Sequence, residues 1–333
     1  MNDGFSAVRR RLLLRSAAAA VVLPRAAWSQ EGAPLRLVVP FPEGGRTGHL
    51  ARLVAGPLGQ VLSRPVQVEH RRGEVMHEIA AFAEGPPDGN TLLLATIRLP
   101  RRGELAPDAE NLLLDSLVPV TFVARDPMVL VMNTQRAEAL GIRSAAQLLR
   151  SLRTRPGRLT IATGNRGSTD GHAGELFKSL TRTWLVALRT DGLTPDTHAI
   201  DEGRADLMFA PLNVARRPIQ SGRWRGLGLT ATATDGLQID GLTRDYTVPL
   251  LESVEPALRR FAVYDHYSLL APPRTSPEVA GRLQEAMAQT LAIDRVRADV
   301  RRTGAVPGGE TPTAYRQWER DEAERLRVAR ERW

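Results

Sequence analysis

The chain has 333 residues, 42% of them hydrophobic, and a formal charge of +8 from 45 basic and 37 acidic side chains; it has no cysteine. That length holds one large domain or two of ordinary size, and the composition is that of a folded rather than a disordered chain. Without cysteine there is no disulfide framework, thiolate metal site or cysteine nucleophile.

The first thirty residues carry much of the charge. Arg9-Arg10-Arg11 is followed by Leu12-Leu13-Leu14 and the apolar run Ala17–Leu23, and the small residues Ala27 and Ser29 precede Gln30. Basic, apolar, then small is the order of an export signal cleaved after Ser29. The arginine pair is compatible with the twin-arginine route as well as the general secretory one. Arg15 and Arg25 leave too short an apolar core for the roughly 20 residues that span a bilayer. Residues 1–29 hold five arginines and one aspartate, net +4, so +8 − 4 leaves +4 on the mature chain. Lys178 is the single lysine, and so uniform an arginine excess reads as a coding bias rather than a nucleic-acid footprint.

Beyond the signal, Leu35–Phe41 reads as a strand, Pro42-Glu43-Gly44-Gly45 as a tight loop, and Leu50, Leu53, Val54, Leu58 and Val61 recur at helical spacing from about Thr47. Pro57 stands where it would kink that helix. Pro65–Val68 is a second strand, Val75–Ala83 a helix and Thr91–Ala95 a strand after the Pro87-Asp88-Gly89 turn. Met128–Met132 is a buried run, and Ser144 caps a helix to about Leu152. Leu159–Ala162 is a strand, Thr163–Thr169 a loop and Gly171–Leu180 a helix. Asp206–Phe209 and Leu227–Leu229 are strands, and Pro277–Ile293 and Pro312–Arg332 are helices. Strand–helix alternation with short loops predicts α/β units on a mostly parallel sheet.

Two loops carry the chemistry. A helix N-terminus presents free amides and about half a positive charge, so it holds an anion without a basic side chain. Gly44 and Gly45 let backbone approach a ligand closely, with Thr47 adding a hydroxyl; Thr163, Gly164, Ser168 and Thr169 offer the same in the second half. Facing each other, two such ends would clamp a small anion. Neither loop has the phosphate-loop or full dinucleotide pattern.

The stretch Leu35–Arg52, LRLVVPFPEGGRTGHLAR, resembles the opening of the Bug/TctC family, the extracytoplasmic solute receptors of tripartite tricarboxylate transporters. Pro87-Asp88-Gly89, Pro156-Gly157-Arg158-Leu159, Gly174–Lys178, Ala205–Phe209, Ile219–Gly222 and Leu270-Ala271-Pro272 continue the match over about residues 35–325. The resemblance implies an α/β, two-lobed periplasmic binding protein, type II-like, closing about a hinge on a small carboxylate for a membrane permease. It divides the chain into a signal at 1–29, a first lobe from 30–126 and 241–333, and a second lobe at 127–240. It places ligand contacts at Phe41, Gly44, Gly45, Arg46 and Thr47 in the first lobe. In the second it places them at Thr163, Gly164, Asn165, Ser168, Thr169, His172, Asp191 and Gly192. The chain departs from the family at Glu43, usually proline, and at Gly48, usually aspartate. It departs again at Arg71–Met76, usually Gly-rich, and at Ala187–Gly192, usually His-Val-Pro-Tyr-Lys-Gly. Glu43 sets a negative charge beside the anion position, while Arg46, Arg166 or Arg189 could restore a positive one.

The six histidines form no His-Glu-x-x-His pair, so no metal is expected, and Ser168 lacks a nucleophile elbow. We therefore expect a monomeric receptor without cofactor, catalytic residues or nucleic-acid partner. A sensor feeding a signalling system and an enzyme on the same fold, with Glu43 and His172 as its acid–base pair, are the alternatives; a DNA-associated regulator conflicts with the export signal.

Overall fold

The computed structural model describes residues 33–96, 109–164, 168–190, 192–235, 237, 242–243, 246–259 and 261–331. The export segment expected at 1–29 lies outside the described residues, as do Asn165, Arg166 and Asp191. In chain order, β1 (Leu35–Val39), α1 (Arg46–Val61), β2 (Val66–His70), α2 (Val75–Ala83), β3 (Thr91–Ala95) and α3 (Ala109–Ser116) lead to a long strand, β4 (Val118–Asn133). Then come α4 (Thr134–Ala139), α5 (Ala145–Thr154), β5 (Thr160–Thr163), α6 (Thr169–Thr181), β6 (Val186–Arg189), α7 (Leu193–Asp201), β7 (Leu207–Pro211), α8 (Leu212–Gln220) and β8 (Trp224–Leu229). After short 3-10 turns at 233–235, 251–253 and 256–258 the chain ends in β9 (Tyr264–Ala271), α9 (Pro277–Ala292), α10 (Asp294–Arg302), β10 (Val306–Pro307) and α11 (Pro312–Glu331).

The strands run in the order β2-β1-β3-β9-β4-β7-β5-β6, with β10 and β8 also on β4. The sheet is mixed rather than mostly parallel. Its outer strands pair in parallel, β2-β1-β3 at one end and β7-β5-β6 at the other, but β9 is antiparallel to β3 and β4, and β4 is antiparallel to β7 and β8. β4 joins the two halves: Val118–Pro127 pairs with β9, and Met128–Met132 with β7.

Each half is covered on both faces, as a parallel sheet requires. In β1 the period of two sends Leu35, Leu37 and Val39 toward Leu50, Val54 and Leu58 of α1, and Val38 toward Ile79 and Phe82 of α2. In β4, Met128, Leu130 and Met132 meet Leu148, Leu152 and Phe177, whereas Val129 and Val131 meet Ala215 and Ile219. α1 continues through Pro57. α2 starts where it does because the Glu74 carboxylate caps it, accepting from Met76 N at 3.0 Å and His77 N at 2.8 Å.

Leu251, Leu258, Phe261 and Val263 pack with the second-half cluster, so we propose the return crossing at Val263–Tyr264. Buried Thr230 ties the two crossings together. Its N–H donates to Met128 O and its Oγ1 accepts from Met128 N, both at 2.9 Å, and its hydroxyl donates to Val263 O. α11 also reaches both halves. Tyr315 stacks on Phe122 with centroids 4.1 Å apart and hydrogen-bonds Ser268, while the helix lies against α6.

Candidate ligand-binding site

The pairing sets the direction of every strand. β4 is antiparallel to β9, which is antiparallel to β3, so β4 runs with β1 and β3; β7 and β5 run against it. The C-terminal end of β1 therefore points from the first half toward the second, and that of β5 points back. The two glycine loops, at those two ends, open toward the same boundary.

In the first half, Pro42–Gly45 closes as a turn through Gly45 N–H to Pro42 O at 3.0 Å. α1 then begins at Gly45, whose missing side chain offers no cap, and its first turn holds no acid. His49 N is bonded to Gly45 O; the amides of Arg46, Thr47 and Gly48 precede it, where a helix has no carbonyl of its own to offer. Thr47 is buried beside them. A Cβ on Gly48 would stand 2.5 Å from His70 Cε1 and 2.8 Å from Glu43 O, so an aspartate has no room there. His70 fills the place, its Nδ1 3.2 Å from Phe41 O and its Nε2 3.4 Å from Arg52 Nη1. Glu43 does not aim its charge into the turn: its side chain is 65% exposed, 3.9 Å from Arg52. Phe41 packs against the core of the first half.

Arg46 meets Asp126 of β4. Its Nε and Nη2 donate to the two carboxylate oxygens at 3.0 and 2.7 Å, and Tyr267 of β9 donates its hydroxyl to Asp126 at 3.1 Å. Asp126 is fully buried; burial pushes its carboxyl above the usual range, and Arg46 opposes that shift. The triad ties the start of α1 to both strands next to the crossing.

In the second half, Ser168 caps α6, its Oγ accepting from Gly171 N at 3.3 Å. Asp170 turns back so that its carboxylate accepts from Gly164 N at 2.5 Å. Thr163 is buried, and Thr190 N donates to its carbonyl at 3.1 Å. Gly192, at φ +122°, starts α7 in a conformation that favours glycine. His172 lies buried in the first turn of α6, and Arg189 is exposed on the edge strand β6.

Beneath this loop is an acid pair that the loop residues alone do not announce. Asp196 of α7 is fully buried, accepts from Thr190 Oγ1 at 2.6 Å and stands beside Asp170. Burial, then the neighbouring Asp170, raises its pKa to about 7. Two carboxylates this close cannot both ionise freely, so near neutrality the pair shares a proton. Only an acid in the first turn after Ser168 hinted at Asp170.

The family model described as the tripartite tricarboxylate transporter family receptor matches residues 50–327. The chain belongs to that family. It is therefore a solute-binding receptor. Protein BugT of Bordetella pertussis is 28% identical over 312 residues, 93% of this chain and 92% of that one. The structure described as R. palustris Rpa4515 with adipate is 25% identical with a TM-score of 0.68, over 90% of this chain and 96% of that one. MatC of Rhodopseudomonas palustris, with bound malate, shares the fold at a TM-score of 0.62 and 21% identity, over 89% of this chain and 98% of that one. The two-lobed periplasmic binding fold expected above is thus the receptor's fold. Among the described residues there is no acid–histidine cluster fit for a metal ion, and no helix is long and apolar enough to cross a membrane.

Proposed function

We propose that this receptor is exported, closes its two lobes on a small carboxylate, and delivers it to a permease without catalysing a reaction. The observation that carries this is the start of α1, an uncapped, acid-free helix N-terminus at the end of β1, directed toward the opposing loop. The ligand's carboxylate goes to the amides of Arg46, Thr47 and Gly48, with Gly44, Gly45 and the Thr47 hydroxyl beside it. Thr163, Gly164, Ser168, Thr169, His172 and Gly192 line the opposing side, where Asp170 and Asp196 leave the lobe negative and favour the donor-bearing or protonated end of the ligand. Arg46 serves as a positioning residue through Asp126. Closure bends the two crossings at Pro127–Met128 and Val263–Tyr264, and the closed form is the one the permease reads. Adipate and malate, bound by related proteins, set the size of the first ligands to try.

A thermal-shift screen of mono-, di- and tricarboxylates against size-matched neutral solutes tests this. At least one carboxylate raises Tm saturably, and Thr47→Ala weakens it about tenfold, the effect of a lost hydrogen bond to a charged group. Silence from every carboxylate while a neutral solute binds overturns the carboxylate reading.

A further inference from the structure

Asp126 points to the start of α1, so its neighbour Arg125 points to the other face of β4, as successive strand residues do. There it helps line a cavity of about 420 Å³ between the end of α9, α10, β10 and the 3-10 turn Ala233–Asp235 that follows β8. A water occupies roughly 30 Å³ in the liquid, so the cavity has room for a hydrated small ion.

Three arginines from two elements line it, Arg125 of β4 and Arg297 and Arg301 of α10, together with Asp235, whose Oδ1 stands 3.9 Å from Arg125 Nη2. The acids around it are partly occupied, although Glu310 Oε2 is buried without a hydrogen-bond partner. Asp235 accepts from the Tyr264 hydroxyl at 2.5 Å, from Thr232 N at 2.7 Å and from Thr232 Oγ1 at 3.0 Å. Glu310 stands 3.4 Å from Arg125, and the solvent-exposed Asp294 stands 3.9 Å from Arg297. Arg125 Nε is buried with no acceptor, a costly state for a charged donor. Arg301 makes no ion pair among the described residues.

We propose that this cavity is a second anion site, distinct from the cleft, that takes a small tetrahedral oxyanion of the phosphate class. Guanidinium forks converging from a strand and a helix suit such an ion, because each presents parallel N–H donors to two oxygens. An ion there supplies the acceptor that Arg125 Nε lacks and the counter-charge that Arg301 lacks. The site stands apart from the cleft reading, and the failure of one leaves the other intact.

The test is a thermal-shift titration of the full chain with inorganic phosphate, held at constant ionic strength with sodium chloride. Phosphate should raise Tm saturably above the chloride control. Arg301→Ala, a surface change on α10, should raise the half-saturating concentration about tenfold, and the double variant R297A/R301A should abolish the shift at an unchanged ligand-free Tm. Thr47→Ala, in the cleft, should leave the phosphate response as it is. No saturable shift beyond chloride, a shift that survives R297A/R301A, or one lost in Thr47→Ala each overturns the proposal.

Discussion

The two glycine loops share a local design, strand, glycine turn, helix, and differ in electrostatics. α1 begins on Gly45, with no side-chain cap and no acid in its first turn. α6 begins on Ser168, which caps it, and Asp170, which holds the turn through Gly164 N and has Asp196 beneath it. A helix N-terminus left bare keeps its partial positive charge for a ligand; one already served by a hydroxyl and a carboxylate has used most of it. We therefore propose the first lobe as the anion-holding side, while the second orders its own loop. The lobes also differ in what tethers them: the start of α1 is bound to the hinge strand, and the start of α6 to its neighbour α7.

Removing the first tether gives the largest effect. Asp126→Ala leaves the Arg46 guanidinium, only 17% exposed, without its acceptor, and should lower stability by about 3 kcal/mol, read as a lower urea midpoint at unchanged slope. If the triad also positions α1, carboxylate affinity falls with it; a stable, fully binding Asp126→Ala would show that the tether does neither.

The second tether should reveal itself through pH. The folded pKa of Asp196 lies above its unfolded value, about 7 against 3.8, so the native state holds an extra proton between them. Its stabilising contribution is complete below about pH 4 and is lost as the pH rises through 7. Asp196→Asn removes that dependence, so relative to the variant the wild type should lose on the order of 2–4 kcal/mol across this window. Parallel pH profiles for the two proteins would refute the shared proton.

Much of this architecture is legible in the residue pattern. Val75–Ala83 and Thr91–Ala95 fall where periodicity puts them, and Ser144 and Ser168 cap as their residue type requires. What escapes has a physical reason. Only Met128–Met132 of the sixteen-residue β4 reads as a strand, because Pro119, Arg125-Asp126 and Pro127 break its apolar run, and the charges are satisfied only by distant partners. Asp126 finds Arg46 eighty positions away, and Asp196 meets Asp170 across a helix and a strand. α10 buries just Val296 and Val300, too little for periodicity to register. Both glycine loops were visible because their chemistry is local; the difference between them was not, because it rests on long-range partners.

A cap is worth less than a buried pair. Ser168→Ala should cost about 1 kcal/mol. Gly45→Ala, which removes no hydrogen bond and sets its Cβ 3.2 Å from Pro42 O, should cost less in stability and more in ligand affinity by crowding the bare amides. Equal stability losses in the two variants would mean that the ends are alike after all.

The smallest effect concerns the residue that looked most hostile to an anion. Glu43 stands beside the bare helix end in sequence, yet its side chain is mostly in water and faces Arg52 at 3.9 Å, where solvent screens its charge and an ion pair contributes little. Glu43→Gln should therefore change stability by less than about 0.5 kcal/mol and carboxylate affinity by less than about threefold, measured by calorimetric titration at two salt concentrations. A tenfold gain at low salt that disappears at high salt would mean that Glu43 repels the ligand directly, and that the first lobe is less purely the anion side than its geometry makes it.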